Sequence, residues 1–210
     1  DLVAIAFIAK HISFKTCKTP ITQLKQEGFK LLPIDKKLFI RDGMFSGTEK
    51  ERIKHIQLLL DHPGIKAIFF ARGAYGSIRI LDKLKFEKFK KKPKWLIGFS
   101  DITTILSHVK SNYNIPVIHG PMIGDFSQSS KKALNMLFNG LKGKLKTIKI
   151  HNHPLNRKGK IESEIVGGNL SILCSLLGSN SFPKTEKKIL FIEDVDEYMY
   201  SIDRMLYSLT

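Results

Sequence analysis

Cysteine is almost missing from this sequence: Cys17 and Cys174 are the two thiols in 210 residues. Two are too few for a disulfide scaffold or a multi-cysteine zinc site. Long apolar runs are also missing. No stretch approaches the roughly 20 residues that a membrane-spanning helix needs, which excludes a protein built of such helices. Acidic residues are scarce, 19 against 35 lysines and arginines, for a formal charge of +16. That imbalance keeps nucleic acid and anionic surfaces open as partners until the residues themselves are read. Core material, by contrast, is plentiful. Hydrophobic residues make up 42% and charged residues 26%, which excludes a wholly disordered chain. At about 150 residues per domain, the length fits one large domain or two small ones.

The chain opens on Asp1 and runs at once into the apolar residues 2–8. With no basic leader and no small-residue cleavage site, this run reads as a buried first strand and not as a signal peptide. The missing initiator Met suggests a trimmed start. At the other end Ile202, Met205, Leu206 and Leu209 keep helical spacing up to Thr210 with no stop signal, so a fragment is expected. Between the ends, apolar runs at 2–8, 29–34, 65–70, 95–97 and 116–118 alternate with amphipathic stretches at 21–26, 50–60, 78–81 and 102–109. Thr48-Glu49-Lys50-Glu51 is a capping-box pattern that starts one of these helices. Continuous apolar strands separated by helices imply parallel pairing with both faces covered. The expected fold is therefore α/β, a doubly wound, mostly parallel sheet, with chemistry at the carboxyl ends of its strands. A helix over 127–138 and a Gly-, Lys- and Asn-rich linker over 139–160 follow. A strand and helix rhythm resumes at 166–177 and 188–192. This divides the chain into an N-terminal domain (1–125), a helix and linker (126–160) and the start of a smaller α/β C-terminal domain (161–210).

Three strand ends carry candidate chemistry. In Trp95-Leu96-Ile97-Gly98-Phe99-Ser100-Asp101-Ile102-Thr103 an apolar strand turns tightly into a helix. Such a turn lifts a serine hydroxyl above the sheet edge, beside free backbone N–H groups that can stabilise an oxyanion. Alternatively Ser100 merely caps the helix, the commoner outcome for a serine so placed. In Ala71-Arg72-Gly73-Ala74-Tyr75-Gly76-Ser77 small residues follow the preceding strand. They form either a tight turn or a loop that lets backbone approach a ligand. Glu193-Asp194-Val195-Asp196-Glu197 ends a third apolar run, as a solvated turn or as a carboxylate that orients an imidazole.

Of seven histidines, only His119 ends an expected strand of the parallel sheet; a structural role competes with one near Ser100. His151-Asn152-His153 is too sparse for a zinc site. Lysines cluster at 83, 85, 88, 90, 91, 92 and 94, and at 142, 144, 146 and 149. Phe86 and Phe89 interleave with the first cluster at helix-face spacing, which favours a solvated lysine face over a nucleic-acid stripe.

Taken in order, Ser46-Gly47-Thr48, Ala71-Arg72-Gly73-Ala74-Tyr75-Gly76, Gly98-Phe99-Ser100-Asp101, Gly120-Pro121-Met122, Gly167-Gly168-Asn169-Leu170-Ser171, Phe191-Ile192-Glu193-Asp194 and Ile202-Asp203-Arg204-Met205-Leu206 resemble the LD-carboxypeptidase family of serine peptidases. That family includes the microcin C immunity peptidases. The resemblance implies a cytoplasmic enzyme, a homodimer without metal or other cofactor, that releases a terminal D-amino acid from murein peptides. It implies no nucleic-acid or membrane partner. It makes Ser100 the nucleophile and Glu193 the acidic triad member, with the backbone N–H groups of Asp101 and Ala74 as the oxyanion hole. Arg72, Gly73, Gly120, Pro121, Met122 and Asn169 would border the substrate, Arg72 suiting a terminal carboxylate. An amide hydrolase of the microcin C type and a non-catalytic peptide-binding module are the alternatives.

Two departures stand out. Ala74 replaces a family glycine, at a cost of about 1 kcal/mol if φ is positive there. The family's catalytic histidine lies in a C-terminal segment with no matching position here, and His119 is not its counterpart. The 210-residue chain alone is therefore expected to have little or no activity.

Overall fold

In the computed structural model, which describes residues 1–145, 147–150 and 152–209, the first apolar run becomes strand β1 (Leu2–Ala6). Lys146 of the second lysine cluster, His151 of the His-Asn-His segment and the terminal Thr210 lie outside the described residues. Helix α1 (Phe14–Gln26) follows, then β2 (Lys30–Leu31), β3 (Arg41–Asp42), β4 (Phe45–Ser46), α2 (Glu49–Asp61) and β5 (Ile65–Phe70). Short helices α3 (Ile78–Leu81) and α4 (Glu87–Lys91) lead to β6 (Trp95–Gly98), α5 (Thr103–Tyr113), β7 (Ile118–His119) and α6 (Lys131–Leu141). Later come β8 (Ile165–Asn169), α7 (Leu170–Ser175), β9 (Ile189–Glu193) and α8 (Met199–Ser208).

Five strands pair in the order β2-β1-β5-β6-β7, each neighbour parallel to the next. Alternation along the strands sorts their side chains onto two buried faces. Val3, Ile5, Ala67, Phe69 and Ile97 pack with Cys17 and Leu24 of α1 and Leu134, Leu137 and Phe138 of α6. Ala4, Ala6, Ile68, Phe70 and Leu96 pack with Ile56, Leu59 and Leu60 of α2, Phe89 of α4 and Ile105 and Val109 of α5. Helices thus cover both sides, the doubly wound arrangement that continuous apolar strands require. β8 and β9 form a separate parallel pair.

The strand order reverses between β1 and β5, so the turn after β5 lies at the switch point where open α/β sheets hold ligands. Register brings four strand ends to the same rim: Ala6 pairs Phe70, Phe69 pairs Ile97, and Gly98 pairs His119. Backbone bonds continue past the strands, with Gly120 N–H donating to Gly98 O (3.1 Å) and Gly124 N–H to Ala71 O (2.9 Å).

Several elements differ from their sequence reading. α1 starts at Phe14 and not at residue 21, running through Pro20. Burial of Cys17, Pro20 and Leu24 along one face, with Ser13 Oγ accepting from Thr16 N–H, outweighs the backbone bond that proline removes. α6 starts at Lys131, capped by Ser130, and extends to Leu141, so residues 139–141 are helix and not linker. The hairpin of β3 and β4 was not expected. Phe86 and Phe89 are buried as their spacing implied, but Lys94 is not part of the solvated lysine face. It is buried, and its ammonium donates to the carbonyls of Leu59, Leu60 and His62 at 2.7–3.1 Å, closing the C-terminal end of α2.

Candidate active site

Gly98 ends β6, Phe99 is extended, and Ser100 takes φ +57, the left-handed region that side chains avoid. Ser100 opens a short 3-10 turn, Ser100–Ile102, that leads into α5. Neither that turn nor α5 carries a side-chain cap, so the serine is not spent as a helix cap. It is half-buried at the rim. A left-handed residue other than glycine costs about 1–2 kcal/mol and persists where its surroundings fix it, commonly at functional sites.

The turn after β5 lies against this serine. A side-chain carbon on Gly73 would sit 3.4 Å from Ser100 Oγ and 3.3 Å from Met122 Cε, so the space beside the hydroxyl exists because residue 73 has none. Next comes Ala74 at φ +80, the strained conformation that the Gly-to-Ala departure put in question. Ala74 and Arg72 are exposed. The Arg72 guanidinium acts on Asp125, whose carboxyl burial raises and whose Oδ2 accepts from Met122 N–H (3.3 Å). Ala71-Arg72-Gly73 and Gly120-Pro121-Met122 thereby form one wall.

The acidic side arrives from the other strand pair. Gly167 and Gly168 are what let it approach. A Cβ on Gly167 would fall 1.8 Å from Phe191 O, and one on Gly168 2.6 Å from Thr103 Cγ2. β8 can therefore lie close against both β9 and the start of α5. Asn169 N–H donates to Thr103 Oγ1 (3.1 Å), three residues past Ser100. The Asn169 side chain caps α7, accepting from Ile172 N–H (3.2 Å) and Ser171 Oγ (2.8 Å), and donates to Asp194 Oδ1 (3.2 Å). Glu193, paired with Asn169 in the ladder, ends up half-buried at the serine's turn. Burial raises its pKa, and the Asp194 charge adds to the rise; the Asn169 amide and the Ser100 backbone N–H act the other way. Its Oε1 is buried with no hydrogen-bond partner among the described residues, and His119 Nε2 lies 3.7 Å from it. The His119 ring packs against Phe191 (4.9 Å) and Phe99 (5.9 Å), and burial lowers its pKa. This histidine thus lines the carboxylate pocket, a position its place at a strand end allowed and the residues alone did not specify.

Ser77, Arg52 and the side chain of Asp101 had not been singled out, although all three are buried beside the site. The Gly43-Met44 turn of the β3–β4 hairpin was a readable signal that was missed. That hairpin carries Phe45, whose ring stacks under the Arg52 guanidinium at 4.3 Å. Among the described residues no cluster of three metal-ligating side chains occurs, and no helix is long and apolar enough to cross a membrane.

Chemically, the arrangement sets a hydroxyl beside two turns of backbone and near a carboxylate from another lobe, the layout of acyl transfer. The model of the LD-carboxypeptidase N-terminal domain matches residues 1–120, and that of the C-terminal domain matches residues 162–210. A probable murein peptide carboxypeptidase of Bacillus subtilis is 33% identical over 217 residues, covering 100% of this chain and 67% of that protein. The chain spans 54–67% of the length of this and similar curated relatives. The crystal structure of muramoyltetrapeptide carboxypeptidase from Oxalobacter formigenes superposes with a TM-score of 0.89 at 27% identity, over 100% of this chain and 71% of that one. MccF in complex with glutamyl sulfamoyl guanosine shares the fold, with a TM-score of 0.85 at 22% identity over 100% of this chain and 72% of that one. With models of both family domains matched and a relative 33% identical over 100% of this chain, the chain belongs to the LD-carboxypeptidase family.

Proposed function

We propose that the protein containing this chain is a serine carboxypeptidase that releases the terminal D-amino acid from murein peptides. The observation that carries the reading is Ser100 in a left-handed turn at the sheet rim, open toward Gly73 and served by Glu193 from the β8–β9 pair. The names of the relatives from Bacillus subtilis and Oxalobacter formigenes support murein peptides as the substrate class.

In this mechanism Ser100 Oγ attacks the carbonyl of the last amide bond. Its proton passes to a base, which the family resemblance assigns to a histidine beyond residue 210. The backbone N–H groups of Ala74 and Asp101 receive the developing oxyanion. The C–N bond breaks, the amine takes the proton and leaves as the free D-amino acid. Water then attacks the ester, giving the shortened peptide and restoring the hydroxyl. Glu193 orients the base and stabilises the positive charge it gains with the serine proton, and Arg72 faces the substrate's terminal carboxylate. Gly120, Pro121, Met122 and Asn169 shape the rest of the cleft. Residues 1–125 would form the serine-bearing lobe and 161–210 the start of the lobe that supplies the acid. The resemblance also supports a cytoplasmic homodimer that uses no cofactor.

The test is D-alanine release from a murein tetrapeptide by the protein at the full length of its relatives. The wild type should turn over, and Ser100→Ala should abolish release, since removing the nucleophile of such a site costs orders of magnitude in rate. Release unchanged by Ser100→Ala would refute the assignment.

A further inference from the structure

The side chain of Asp101 has no part in the reaction as written, yet it is buried to 1% exposure immediately after the reactive serine. Its Oδ2 accepts two hydrogen bonds from one residue 24 positions away, from Ser77 N–H (3.0 Å) and Ser77 Oγ (2.7 Å). The N–H of Gly76 also faces this carboxylate. All these donors belong to the turn that carries Ala74. Arg52, itself 1% exposed, holds the other side of that turn, donating to Gly76 O (3.3 Å) and Ile8 O (2.7 Å). Residue 76 has no room for a side chain there, because a Cβ would meet Phe45 Cε1 at 3.0 Å, Arg52 Nη1 at 3.1 Å and Ala9 Cα at 3.2 Å.

This contact joins two strained turns, Ala74 at φ +80 and Ser100 at φ +57. Neither conformation is one an L-residue holds unaided. An oxyanion site works only when its donors are fixed before the charge appears. Here one residue supplies a backbone N–H to the site and, through its carboxylate, grips the turn that supplies the other N–H.

We propose that the Asp101 carboxylate is a positioning group for acyl transfer, which fixes the spacing between the Ala74 and Asp101 N–H groups by holding Ser77 and Gly76. The inference rests on the reading of Ser100 as the nucleophile. It predicts a loss mainly in kcat, because the Ala74 and Asp101 N–H groups meet a charge that develops only in the transition state.

The experiment measures kcat and KM for D-alanine release from a murein tetrapeptide, in the full-length protein, for wild type, Ser77→Ala, Asp101→Asn and Ser100→Ala. Ser77→Ala should lower kcat by about tenfold and Asp101→Asn by about a hundredfold, with KM within about twofold of wild type in both. Should Asp101→Asn fail to fold, Ser77→Ala decides alone, since it removes one hydroxyl. Turnover lost in Ser100→Ala but with kcat unchanged in Ser77→Ala, or a Ser77→Ala effect confined to KM or to melting temperature, overturns the inference alone. Turnover retained in Ser100→Ala overturns the serine reading and this inference with it.

Discussion

Side chains that the composition counts as ordinary charge have specific tasks once buried. Lys94 ends α2 by donating to three carbonyls, and Arg52 bridges Ile8, Gly76 and the Phe45 ring. His55 shows how such a task becomes measurable. Its Nε2 lies 3.1 Å from Ile5 O, so the neutral ring donates there, and burial pushes its pKa down to about 4. The unfolded chain takes up this proton near pH 6.5, whereas the folded chain holds out to about pH 4. Between those values the unfolded state binds more protons, so stability falls as the pH falls. A gap of this size amounts to roughly 3 kcal/mol at most. Urea melts from pH 7 to pH 4 should show the loss, and His55→Gln should flatten it; a wild-type curve that is level across this window would contradict the assignment. None of this was legible in the sequence, where a histidine in an amphipathic helix reads the same whether its face is wet or dry.

Among the elements, the legible ones are those whose signals are local. The apolar run at 65–70 is β5 to the residue, and the Thr48/Glu51 capping box closes as its pattern implied, Glu51 Oε2 accepting from Thr48 N–H at 2.8 Å. The strand–turn–helix around Ser100 was readable for the same reason. α1 was read short, from residue 21, whereas it runs from Phe14 through Pro20 under packing that no local signal reveals. The Gly167-Gly168 pair lies between these cases. Its residues are plain in the sequence, but their reason is the approach of β8 to β9 and α5, elements far apart along the chain. Gly168→Ala should therefore destabilise the fold by about 2 kcal/mol or more, because residue 168 holds φ +151 and its new Cβ would lie 2.6 Å from Thr103 Cγ2. Denaturant melts check this, and a midpoint equal to that of wild type would show that the two lobes do not dock as closely as described.

At the scale of the whole molecule, the proposed active site joins the rim of the five-stranded sheet to the β8–β9 pair. Parallel pairing brings the ends of β5, β6 and β7 to one rim, and this much follows from apolar runs alternating with helices. The contact of Glu193 with the serine's turn does not follow from those runs. It depends on Asn169 bonding Thr103 and on a ladder that sets Asn169 opposite Glu193. The link from Asp101 to Ser77 was hidden likewise, by a separation of 24 positions along the chain. If the proposed function holds, Ser100 is a nucleophile made reactive by this assembly. Labelling the full-length protein with a fluorophosphonate, followed by peptide mass spectrometry, tests that directly. The expected product is one phosphonyl group on the peptide that contains Ser100, absent from Ser100→Ala and formed much more slowly in Glu193→Gln. A label on another residue, or a Ser100 that reacts equally fast without the Glu193 carboxylate, would contradict it.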